Sequence, residues 1–144
     1  MCRHRERTST REDGFTVIEL AVTMIVLGIL AAVAIPTYLN HRSAAADRLA
    51  HSDLRNAVIV LEACAVDGAY PTGVSAAGAI TGCPAPRLAL SENTIVKYTT
   101  TGSPVTGFVL ASVNAGGDQV YCYSSANGGG SIREINGPLV GASC

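Results

Sequence analysis

Gly14-Phe15-Thr16-Val17-Ile18-Glu19-Leu20 opens the stretch that decides how this chain folds, because it begins an apolar run, Phe15 to Leu39, whose only charged side chain is Glu19. Wound as a helix at about 1.5 Å per residue, the run measures roughly 37 Å, enough to cross a hydrocarbon core of roughly 30 Å. It reads as membrane-spanning. A carboxylate placed there is costly without a partner, so Glu19 is a candidate functional residue whose partner has to be named.

The residues on either side orient the span. Before it stand Arg3, Arg5, Arg7 and Arg11, and after it Arg42 and Arg48. This excess of cations before the span points the N-terminal flank inward, since the rule counts Lys and Arg near the ends. Residues 1–14 are polar and end in glycine. A common secretory signal is cut after its apolar core and loses it. Here a cut at Gly14 leaves the span on the mature chain.

Gly14 followed by Phe15-Thr16-Val17-Ile18-Glu19-Leu20, with the acid four residues after the Phe and an unbroken apolar segment, resembles the class III signal of type IV prepilins and the related pseudopilins. The resemblance covers residues 14 to about 40 closely and the remainder in architecture. It implies that a membrane-embedded prepilin peptidase and N-methyltransferase cuts between Gly14 and Phe15 and methylates the new Phe15 amine. It implies further that Glu19, with Thr16 beside it, is an assembly residue, its carboxylate pairing with the amine of a neighbouring subunit. Such a pair neutralises two charges otherwise stranded in an apolar bundle, and so sets register more than it adds raw stability. Self-pairing of Glu19 near the headgroups is the plainer alternative.

Within the span, Gly28 adds backbone freedom and Pro36 denies a donor to the Ala32 carbonyl. The resemblance implies that the segment between them melts when subunits pack into a filament; a simple proline kink is the other reading. Gly28 and Ala32 also form a small-xxx-small pair that lets helices approach.

Past Pro36, apolar residues recur at spacings of three and four through Ala46, Leu49, Ala50, Leu54, Ala57, Val58, Leu61 and Ala65, so the helix continues to a stop at Asp67-Gly68. Residues 68–93 carry Gly68, Pro71, Gly73, Gly78, Gly82, Pro84 and Pro86 and read as a long irregular connection. Runs rich in β-branched and aromatic residues follow at Thr94 to Thr100, Gly107 to Val113, Gln119 to Ser125 and Ser131 to Ile135. The expected fold is α+β: a long N-terminal helix, its first half transmembrane, packed on an antiparallel sheet of three or four strands with its other face solvated. The organisation is a leader at 1–14, a transmembrane and polymerisation helix at 15–39, its amphipathic half at 40–67, a helix-to-sheet loop at 68–93, and the sheet with a C-terminal disulfide loop at 94–144.

Cysteine usage divides at the span, with Cys2 before it and Cys64, Cys83, Cys122 and Cys144 after it. An exported domain with four thiols in an oxidising compartment points to two disulfides. Four cysteines allow three connectivities. Cys64 with Cys83 and Cys122 with Cys144 are favoured because each closes a local loop of about twenty residues, for roughly 3 kcal/mol apiece.

Several chemistries are excluded. The formal net charge is -1, and no basic field for nucleic acid emerges. His41 and His51 lack a second ligand at metal spacing, no Cys-x-x-Cys occurs, and the glycine runs do not sit in the strand-to-helix context of a phosphate loop. No catalytic residues, metal or cofactor are expected. By resemblance the chain is a pilin of a type IV pilus, a surface filament for adhesion, motility or DNA uptake. Its partners would be the peptidase, other pilin subunits, and an assembly platform with cytoplasmic ATPases. The alternative within the family is a pseudopilin or minor pilin of a type II secretion or competence apparatus. Major pseudopilins often hold calcium through acids in their C-terminal loops, and the tail after Gly137 has none. A non-polymerising membrane-tethered binding module is the alternative of another class. The location implied is a single pass through the inner or cytoplasmic membrane with the N-terminus cytoplasmic, then an extracellular pilus.

Overall fold

The computed structural model describes residues 14–65, 68–83, 87–126, 130–135 and 144. The chain divides into two compact units, the first ending at Thr37 and the second beginning at Tyr38. The expected leader, residues 1–13 of it, lies outside the described residues.

Helix α1 runs Val17–Ala63. In the first unit its side chains are exposed all round, from Phe15 and Val17 through Ile35. A helix apolar on every face needs an apolar surrounding, whether lipid or other helices. The helix passes through Gly28 and Pro36 without interruption, and the Thr37 hydroxyl donates to the Val33 carbonyl at 3.0 Å, close to the turn that Pro36 leaves without a donor.

At both ends α1 is shorter than the expected Phe15 to Asp67. Thr16 is the cap, so Phe15 lies outside. At the other end the Cys64 amide donates to the carbonyls of Val60 and Leu61 at 3.0 and 3.2 Å, and the Ala65 amide to that of Glu62 at 3.2 Å, a tightened last turn. Asp67 falls outside the described residues. Gly68 has φ +80°, the left-handed conformation that suits glycine after a helix.

The expected irregular connection contains structure. Strands β1 (Gly73–Val74) and β2 (Ile80–Thr81) form an antiparallel hairpin, and Ala79 bridges to Arg87. Two-residue strands are too short for an alternating pattern to announce them. Gly78 closes the turn with φ +80°, and a Cβ there would meet the Leu88 carbonyl oxygen at 2.8 Å, so only glycine fits. A disulfide from Cys64 to Cys83 rings this hairpin to the helix end.

Four further strands, β3 (Thr94–Thr101), β4 (Gly107–Asn114), β5 (Val120–Ser124) and β6 (Arg133–Ile135), make an antiparallel meander in that order. One face takes the helical stripe Ala50, Leu54, Ala57 and Leu61, spaced by four, three and four and all essentially inaccessible. Facing it, Phe108 is ringed by Tyr70, Tyr98 and Tyr123 at centroid distances of 4.9, 5.6 and 5.7 Å. Beside them Val96, Leu110 and Leu88 complete the core. Ser112, fully buried on the same face, donates from its hydroxyl to the Ala50 carbonyl at 2.8 Å and so satisfies itself.

The other face is not simply solvated. Ala111, paired across the strands with Cys122, is buried with it and with Val120. Cys122 is bonded to Cys144, which is itself half-buried, so the chain terminus is anchored on this face.

Candidate assembly segment at the N-terminus

At the start of α1 the side chains of Thr16 and Glu19 cap one another. The Thr16 amide and hydroxyl both donate to Glu19 Oε2, at 3.0 and 2.8 Å. The Glu19 amide donates back to Thr16 Oγ1 at 3.3 Å. This is a capping box, in which a Thr and an acid three residues later satisfy two helix-end donors reciprocally. The Glu19 carboxylate therefore has a partner within its own chain. Phe15, Ile18, Glu19, Val22 and Thr23 line one shallow hollow, so the carboxylate opens onto an apolar surface. Phe15 is 93% exposed. A Cβ added at Gly14 or at Gly28 would meet nothing within 4 Å, so neither glycine is required by packing within the described residues.

The second unit contains a set of residues that sequence reasoning did not single out. All three acids of its helical part are engaged by the elements packed against it. Asp47 Oδ1 accepts from the amides of Asp118 and Gln119, both at 2.9 Å, in the turn between β4 and β5. A Cβ on Gly117 would collide with the Asp47 carboxylate, so this turn needs glycine. Asp53, only 5% exposed, accepts from the Ser91 amide at 2.8 Å and the Ser91 hydroxyl at 3.0 Å. Glu62 accepts from the hydroxyls of Tyr70 at 2.9 Å and Tyr123 at 3.3 Å. Asp118 is tied in turn by the Ser43 hydroxyl at 2.6 Å. One signal for Asp53 was available: it stands three residues after Ala50 and four before Ala57, inside the apolar stripe.

These contacts set the tyrosine acidities. Tyr70 is held above its ordinary pKa by its hydrogen bond to Glu62, with burial adding to it. Burial raises Tyr123, with the Glu62 charge beside it. Tyr98, half-buried and donating to the Pro71 carbonyl at 2.7 Å, is pushed up to about 12 by burial and then by Tyr70. All of these hydroxyls stay protonated at neutral pH and act as donors that hold loops.

Among the described residues no group of three or more His, Cys, Asp or Glu side chains gathers as a metal site. His41 is exposed, and His51 packs edge-on against Tyr121 at a centroid distance of 5.1 Å.

With this geometry in place, comparison with known proteins gives a class. Residues 9–35 match the prokaryotic N-terminal methylation motif. Two curated relatives carry the comparison further. The chain is 34% identical over 62 residues to the fimbrial protein EcpB of Eikenella corrodens, covering 43% of this chain and 39% of that protein. It is 37% identical over 57 residues to the type IV major fimbrial protein FimA of Dichelobacter nodosus, covering 40% of this chain and 36% of that one. The matched part thus spans under two fifths of the length of either relative. No solved structure matches the chain. The motif, the fimbrial relatives and the α+β fold with its long apolar helix support the type IV pilin family. Both relatives are fimbrial proteins by name. These findings also fit membrane anchoring and a surface pilus.

Proposed function

We propose that the chain is a pilin stored in the membrane through residues 15–39, cut between Gly14 and Phe15, methylated on the new Phe15 amine, and polymerised into a type IV filament. The observation that carries this reading is an apolar helical segment, exposed on every side, with one carboxylate at its start. Packing of such segments against copies of themselves removes that surface from lipid or water together. Gly14 supports the cut: among the described residues nothing would crowd a side chain there, so packing does not account for the glycine. In the assembled state the Glu19 carboxylate exchanges part of its capping role for the methylated amine of a neighbour, so that a donor carrying a full positive charge takes the place of the uncharged Thr16 donors. Thr16 keeps the carboxylate oriented until then. Gly28 and Pro36 mark the stretch that unwinds on packing, since the helix has no side chain at the one and no backbone donor at the other. The prepilin peptidase, an assembly platform and its ATPases are the partners this scheme requires, with the N-terminus cytoplasmic and the second unit outside.

Mass spectrometry of the N-terminal peptide from sheared surface filaments tests the scheme. N-methyl-Phe15 is the expected terminus, and a mature chain retaining Met1 overturns it. A membrane-tethered module that never polymerises predicts unchanged surface display in Glu19→Ala, against loss of filaments here.

A further inference from the structure

The exposed side of α1 just past the apolar run carries two arginines, and no acid among the described residues forms an ion pair with either. Arg42 and Arg48 are exposed, with the exposed His41 ring beside them. Asp47, the only acid between Tyr38 and Ala50, is turned to the amides of Asp118 and Gln119. The nearest acids of the sheet side are occupied or set apart. Asp118 holds the Ser43 hydroxyl, and Glu92 lines the groove that Arg42 also lines without forming an ion pair with it. Tyr38, the last aromatic before these cations, is 67% exposed.

The spacing of these groups fits a membrane surface. Measured from Leu39 along the helix, Arg42 lies about 4–5 Å on and Arg48 about 13–14 Å on, whereas Arg55 lies about 24 Å on. The headgroup layer is roughly 5–8 Å deep, and a charge is felt for roughly 8–10 Å beyond it. Arg42 therefore falls within the phosphates, Arg48 within their field, and Arg55 beyond both. A tyrosine at the boundary is the usual companion of such cations, because its ring sits in the apolar side and its hydroxyl among the headgroups. We infer that Tyr38, His41, Arg42 and Arg48 form a docking collar for anionic phospholipid headgroups, which holds the stored subunit at a fixed depth. This rests on the membrane-anchored form proposed above.

The test uses the full chain reconstituted in phosphatidylcholine bilayers containing spin-labelled phosphatidylglycerol or spin-labelled phosphatidylcholine, with the motionally restricted fraction measured by electron paramagnetic resonance. The wild-type chain is expected to prefer phosphatidylglycerol, and the preference should fall about fivefold in R42Q and by a smaller factor in R48Q. R55Q should keep it. The collar is overturned if R42Q/R48Q retains the wild-type preference, or if R55Q loses as much, which would indicate a diffuse charge effect or a contact with another macromolecule. A chain that restricts neither lipid rejects the membrane reading itself, and the collar with it.

Discussion

The two parts of α1 use the same backbone for opposite ends. From Val17 to Thr37 its side chains are exposed and apolar with one carboxylate; from Tyr38 to Ala63 a narrow stripe is buried and each acid reaches a neighbouring element. The first part finds no cover within its own chain among the described residues, whereas the second buries its stripe and engages its acids, with its arginines left facing outward. The difference lies in where the acids find partners: a lone acid that caps its own helix leaves its apolar surround unsatisfied, whereas the three acids of the second part are held by loops, a turn and a strand of the same unit.

The largest effect expected from breaking this contrast is Glu19→Ala. Filaments should disappear from sheared preparations while the unfolding transition of the second unit is unchanged; a matching drop in its stability would mean that the two parts are not independent in this respect. Next is Phe108→Ala, which empties the centre of the aromatic ring and should cost about 3–5 kcal/mol in denaturant unfolding of the full chain in detergent, followed by near-ultraviolet dichroism. Asp53→Ala leaves the Ser91 amide and hydroxyl without their acceptor and should cost about 1–3 kcal/mol by the same measurement. Thr16→Val removes the hydroxyl of the capping box and should weaken the helix start by about 1 kcal/mol, seen as faster amide exchange over residues 17–20 with no change in the second unit.

The smallest effect is alkaline. The Tyr98 pKa is raised from 10.0 to about 12, so its contribution is whole below pH 10, where folded and unfolded chains both keep the proton. It is lost as pH rises from 10 towards 12, because the unfolded chain releases the proton first. Unfolding titrations at pH 9, 10 and 11 should show this decline, and Tyr98→Phe should flatten part of it.

What the sequence made legible follows the same division. The span and its single acid stand out because an unbroken apolar run with one charge has few physical readings. The meander from β3 to β6 was visible from its β-branched and aromatic runs, with strand ends shifting by only a residue or two. The β1–β2 hairpin escaped because two residues have no period. The roles of Asp47 and Glu62 escaped for a different reason: which turn of sheet lies above a given helix position depends on packing, and an acid near the edge of an apolar stripe looks the same whether it faces water or an amide. The burial of Ala111 and Val120 on the far face of the sheet likewise depends on tertiary placement, with Cys144 bound at Cys122.

The ring closed by Cys64 and Cys83 has a practical consequence. It fastens both ends of the β1–β2 hairpin covalently beside the helix end, and the hairpin's tip, Ser75 to Ala77, stands exposed. Ser75 closes the turn by accepting from the amides of Gly78 and Ala79, and Gly78 makes the close approach to Leu88, whereas Ala76 and Ala77 point no side chain into the core. The tip is thus an insertion cassette: a foreign peptide placed between Ala76 and Ala77 would be carried on the surface of the second unit.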